Sequence, residues 1–153
     1  MTPFERKERI LGQRLRDIGV RHFKAKEFLY LGGSHYDPNS RAYGLNRLMP
    51  DSQLGEVIQN AIVLDAAREE LLGPVITLSI YRSPAYNRAI GGAANSFHRV
   101  SKAVDATPRD PSKIRQFQRI LRRLRDEGFW SGGLGIYSGF AHIDHGTVRN
   151  RDW

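Results

Sequence analysis

The chain contains no cysteine. That excludes disulfide stapling, a thiolate metal site and a cysteine nucleophile, leaving histidine and carboxylates as the only strong metal ligands. Long apolar runs are also missing. Without a stretch of about 18 apolar residues, no membrane span is encoded. The segment Met1-Thr2-Pro3-Phe4-Glu5-Arg6-Lys7 lacks the apolar core of a secretory signal, so work outside the cytoplasm would need another route or a removed leader. Internal repeats and low-complexity stretches are absent as well.

What is present fits one domain with its own core: 153 residues, 40% hydrophobic and 26% charged, ordinary values for a soluble globular protein. Net charge is +8, and the pI is near 10.2. A basic surface favours polyanions such as nucleic acid, anionic lipid or the acidic polymers of a bacterial envelope. Seven of the basic residues fall between Arg109 and Arg125 (Arg109, Lys113, Arg115, Arg119, Arg122, Arg123, Arg125). This pattern reads as the solvated face of a helix, and it is the only support for a nucleic-acid partner, which is not expected.

Phe4, Leu11, Leu15 and Ile18 recur at helical spacing and predict a first helix ending near Gly19. Residues 32–50 read as a long loop. Asp51 or Ser52 can cap a second helix through Leu72, which Gly73-Pro74 ends. The β-branched run Val75 to Tyr81 predicts a buried strand. Ser83-Pro84 starts a short helix through Ile90. A strand is expected around Ala103 to Ala106, and Asp110-Pro111 caps a third long helix with Ile114, Phe117, Leu121 and Leu124 inside. Gly132-Gly133-Leu134-Gly135 leads to short strands at Ile136-Tyr137 and Ala141 to Asp144. The expected class is α+β, a small antiparallel sheet packed by helices.

Five histidines are present. His22 and His35 match no ligand pattern and read as surface or core-edge residues. His98 stands seven positions before Asp105, which sits on a predicted strand in an apolar setting. A buried carboxylate needs a cation or several donors. A metal ion meets that demand, and so does an arginine. In the second cluster, strand alternation sends His142 and Asp144 to one face, while His145 points away or ends the strand. An imidazole and a carboxylate together suit a hydrolytic zinc site, where a three-ligand ion lowers the pKa of its water to roughly 7 and a nearby carboxylate serves as general base. A His–Asp hydrogen bond in a structural turn is the bland alternative.

Ser96-Phe97-His98-Arg99-Val100-Ser101-Lys102-Ala103-Val104-Asp105 resembles the S-x-H-x-x-G-x-A-x-D signature of the zinc D-Ala-D-Ala carboxypeptidases and murein endopeptidases, branch A of the M15 peptidase family. Tyr81-Arg82-Ser83-Pro84-Ala85-Tyr86-Asn87 with Ile90-Gly91-Gly92 is similar to that family's Y-R-S-P-x-x-N…I-G-G segment. Gly132-Gly133-Leu134-Gly135-Ile136-Tyr137 and His142-Ile143-Asp144 resemble its G-G-x-G-x-Y…H-x-D ending. Val148-Arg149 and Trp153 are similar to the V-R…W tail of one envelope-processing branch. The likeness runs from about Phe23 onward, dividing the chain into a helical extension at 1–22 and a peptidase domain at 23–153.

The resemblance implies the hedgehog/DD-peptidase fold and a Zn2+ ion ligated by His98, Asp105 and His142, with His145 still open as the third ligand. It implies Asp144 as general base or as a partner behind a ligand. It implies Arg82 as the group that binds a substrate carboxylate or the oxyanion. Ser96 and Tyr137 are expected to contact substrate. The implied activity is hydrolysis of peptidoglycan stem peptides or cross-links by a monomer acting on the bacterial wall, from the periplasm or delivered by a phage as an endolysin. A non-catalytic, metal-stabilised wall-binding or virion module is the alternative. Two departures stand out. The signature glycine is Ser101, and serine tolerates a left-handed backbone poorly. Related branches place an acid three positions before the third ligand, where this chain has Gly139 before His142 and His142 before His145.

Overall fold

Two helices and a small sheet account for most of the buried apolar surface, and their residues are those whose spacing matches the element they occupy. The computed structural model describes residues 1–153. Helix α1 spans Pro3–Asp17, opened by Thr2 in a reciprocal capping box with Glu5. It buries Leu11 and Leu15 in the same core as the sheet. Two one-turn helices follow, α2 (Ala25–Phe28) and α3 (Gly33–Tyr36). The second interrupts the expected loop at 32–50.

Helix α4 spans Val57–Leu71. It starts later than the Asp51 or Ser52 cap suggests, because Asp51–Gln53 closes only a single 3-10 turn. It ends at Leu71, two residues before Gly73, with Leu72 between them left-handed at φ 54°. Strand β1 (Val75–Ser79) leads to helix α5 (Pro84–Ala89), whose first turn is capped by Ser83. Strand β2 is Ala103–Pro108, helix α6 is Ile114–Asp126, and strands β3, β4 and β5 are Gly133–Ile136, Ala141–Asp144 and Arg151–Asp152. No helix is long and apolar enough to cross a membrane.

The sheet order is β1-β2-β4-β3-β5. All pairs are antiparallel except β3 with β5, which is parallel and makes the sheet mixed. One face is apolar: Val104, Ala106, Leu134, Ala141 and Ile143 pack against α4 and α6 in a core of 26 residues. Each fully buried Leu or Ile there stabilises the fold by about 2 kcal/mol. The alternate residues Asp105, His142 and Asp144 rise from the other face, at registers Asp105↔His142 and Ala103↔Asp144.

A register shift between Thr77 and Ser79 in β1 brings Ser79 opposite Asp105. Without it, Ser79 would share the core face of Val75 and Thr77. The α+β class with a small sheet packed by helices therefore holds, with one short parallel edge added.

Candidate metal centre

Three segments converge on the polar face of the sheet. The 3-10 turn Phe97–Val100 carries His98, and its cap Ser96 accepts the His98 backbone N–H at 3.3 Å. Ring Nδ1 of His98 donates to the Ile80 carbonyl at 2.7 Å, which orients the ring and leaves Nε2 facing Asp105 Oδ1 at 3.2 Å. Across the sheet, His142 directs Nδ1 at the same oxygen from 2.8 Å, while its Nε2 lies 3.1 Å from Asp144 Oδ2. His98, Asp105 and His142 each offer one ligand atom, and these atoms all lie within 4.8 Å of one another.

The second oxygen of Asp105 accepts from Arg82 Nη2 at 2.9 Å, and Arg82 Nε donates to Ser79 Oγ at 2.8 Å. Asp105 thus meets both the arginine and the histidine pair; the two explanations that its burial allowed coexist at one carboxylate. Burial pushes its pKa up, but hydrogen bonds and charge from His142 and His98 outweigh that and hold it well below the carboxylate range. His98 is lowered, chiefly by burial. Burial also acts to lower His142, yet Asp105 and Asp144 raise it to about 9. Asp144 is lowered to about 2 against the opposing effect of burial, by His142 and Thr147.

Asp144 is fully committed. Beyond the contact with His142, its Oδ1 accepts the backbone N–H of Gly146 at 3.1 Å and of Thr147 at 2.8 Å. His145 is not brought to the cluster: its Nε2 lies 2.9 Å from the Glu56 carbonyl. Ser96 borders the cleft beside His142. Tyr137 stands further out, stacked on Phe140 with ring centroids 4.4 Å apart. Its hydroxyl accepts from Trp153 Nε1 at 2.9 Å.

Ser101 adopts the left-handed conformation expected of the signature glycine, at φ 60°. Its hydroxyl donates to Gln53 Oε1 at 2.7 Å, which offsets part of the strain.

Three supporting residues escaped sequence reasoning. Asn46, nearly fully buried, donates to the Leu31 and Tyr81 carbonyls at 2.8 and 2.9 Å and accepts the Ser83 N–H at 2.8 Å, tying the long loop to the segment that carries Arg82. An asparagine shortly before a helix gives no local hint of that role. Arg125, one of the basic run, is buried; it donates to the Gly132 and Arg151 carbonyls at 3.0 Å each and pairs with Asp152. Trp153 lies with its ring 5.2 Å from that of His142. It was visible only as part of a tail motif. Of the other arginines in the run, Arg122 pairs with Asp152, and Arg123 with Glu70 and Glu127.

A sequence model of peptidase M15 matches residues 39–144, more than half of the chain and all three converging segments. The chain belongs to the peptidase M15 family. Peptidases of this family are zinc-dependent. Comparison with curated proteins and with solved structures gives no match.

Proposed function

We propose that this chain is a zinc peptidase that hydrolyses amide bonds in peptidoglycan stem peptides or their cross-links, as a carboxypeptidase or endopeptidase acting on the bacterial wall from the periplasm or as a phage-borne lytic enzyme. The observation that carries this reading is the convergence of His98 Nε2, Asp105 Oδ1 and His142 Nδ1, each with its remaining polar atom engaged by another group. Two neutral imidazoles and one carboxylate are a suitable zinc donor set, and three protein ligands leave a position for water and substrate. When bound, zinc supplies Lewis acidity and activates water for hydrolysis near neutral pH. The family's association with the cell wall supports the substrate class, and the charge of +8 suits an anionic polymer matrix.

Each nearby residue has a role that follows from its contacts. Ile80 and Asp144 set the ring orientation and tautomer of His98 and His142, as outer partners of metal-bound histidines do. Arg82 anchors Asp105 through Nη2, and the remaining Nη1 of its guanidinium would neutralise charge on the substrate carbonyl or bind a substrate carboxylate. The contacts of Asp144 favour positioning His142 over accepting a proton, since both of its oxygens are engaged. Ser96 acts first as the cap that holds His98, and Tyr137 acts through Trp153.

The test is direct. Incubated with purified murein and zinc, the wild-type chain should release peptide fragments that mass spectrometry identifies, and His98→Ala should release none. Equal release by both would overturn the proposal.

A further inference from the structure

Strand β5 runs parallel to β3 with Gly133 opposite Arg151. Arg151 and Trp153 therefore rise on the face that carries His142, while Asp152 between them turns to the other side and is held by Arg122 and Arg125. Main-chain bonds lock the strand on both sides of the tryptophan: Trp153 N–H to the Leu134 carbonyl at 3.1 Å, and Ile136 N–H to the Trp153 carbonyl at 2.7 Å.

The glycines of β3 make room for the indole. A Cβ at Gly133 would fall 2.6 Å from the Trp153 ring, and one at Gly135 would fall 2.8 Å from its Nε1. Any larger residue at either position displaces the tryptophan.

The result is a cleft of about 410 Å³ whose lining includes Asn95, Ser96 and Phe97, Arg151 and Trp153, and His142. Arg151 is exposed, and its guanidinium has no ion pair or hydrogen bond within the protein. The only acid lining the cleft is Asp144, whose oxygens are already taken by His142, Gly146 and Thr147. A free guanidinium beside a flat aromatic surface calls for a planar anion from outside.

We propose that Arg151 and Trp153 form a substrate subsite beside His142 that selects peptides bearing a free carboxylate, with Arg151 binding the carboxylate and Trp153 supporting the adjoining backbone. This rests on the peptidase reading for the nature of the ligand, but its test does not require turnover.

The probes are a reduced-amide analogue of the stem tetrapeptide L-Ala-γ-D-Glu-L-Lys-D-Ala and the same analogue with every carboxylate amidated. Binding of each to the zinc-loaded full chain is measured by titration calorimetry. The wild type should bind the acid form at least about tenfold more tightly, the scale of one charged hydrogen-bonded contact. Arg151→Gln should erase that preference and leave binding of the amidated form unchanged, which also reports that the variant is folded. Trp153→Ala should weaken both forms, and Trp153→Phe should retain most of the affinity. Arg115→Gln, on the helix behind the sheet, should keep the preference and so exclude a general charge effect.

Equal binding of acid and amide by the wild type, binding of neither, or a preference that survives Arg151→Gln would overturn the subsite. A hydrolysable tetrapeptide that binds in the expected pattern but is not cut would overturn the peptidase reading and leave the subsite standing.

Discussion

The two faces of the sheet are built from the same strands and obey opposite rules. On the helix side, Val104, Leu134 and Ile143 are interchangeable in kind; each contributes area, and their neighbours are other apolar side chains. On the open side, Asp105, His142 and Asp144 are buried or half-buried polar groups, and each has a named partner for nearly every polar atom. A shift of one residue in β4 would exchange the two sets and destroy both faces. Apolar burial therefore fixes the register, and the register places the candidate ligands.

Substitution on the two faces should separate stability from metal binding. Asp105→Asn removes the anion shared by His98, His142 and Arg82 and should abolish zinc retention and activity, a loss beyond the roughly 10–100-fold typical of outer-partner changes. Ile143→Ala, on the apolar face in register with Val104 and Leu134, should lower stability by about 2–4 kcal/mol in denaturant unfolding while the folded fraction keeps one zinc. If Ile143→Ala releases the metal from folded protein, the two faces are not separable.

Asp144→Asn should reduce zinc affinity by about 10–100-fold, because it weakens the partner that orients His142. Competition with a chromophoric chelator measures this. Turnover lost with zinc affinity unchanged would instead make Asp144 the general base.

The pH dependence of zinc uptake has a definite sign. His142 is raised to about 9 in the metal-free protein, with the hydrogen bonds to Asp105 and Asp144 outweighing burial. Below that value a proton competes with zinc for the imidazole, so affinity should climb about tenfold per pH unit from 7 to 8 and level off above 9. The same raised value means that the charged His142 adds stability to the metal-free fold below its ordinary 6.5 and that this contribution disappears as pH rises through about 9. Calorimetry in buffers of different ionisation enthalpy should show a proton released on zinc binding at pH 7. No release would contradict the arrangement around His142.

Ser101→Gly should change stability least, within about 1 kcal/mol, since relief of the left-handed backbone and loss of the bond to Gln53 nearly cancel.

Much of this was legible in the chain itself. Alternation in Ala141 to Asp144 put His142 and Asp144 on one face, and the four ordered motifs pointed to His98, Asp105 and Arg82. What escaped depended on contacts distant in sequence. Gly133 and Gly135 read as the lead-in to a strand at Ile136-Tyr137, yet they belong to the strand itself, and their missing side chains admit Trp153. Two-residue β5 has no periodicity to detect, and it is held by Arg125, a residue hidden among exposed arginines of the same type. The bulge that turns Ser79 toward Arg82 leaves no mark in a run of β-formers. Alternation favoured His142 over His145 without closing the choice; the pairing of β2 with β4 sets His142 opposite Asp105, while His145 lies against the Glu56 carbonyl.

The most direct test is therefore zinc content after dialysis, compared between His142→Ala and His145→Ala. The expected result is one zinc per chain in the wild type and in His145→Ala, and none in His142→Ala. Zinc retained by His142→Ala, or lost from a folded His145→Ala, would contradict the centre formed by His98, Asp105 and His142.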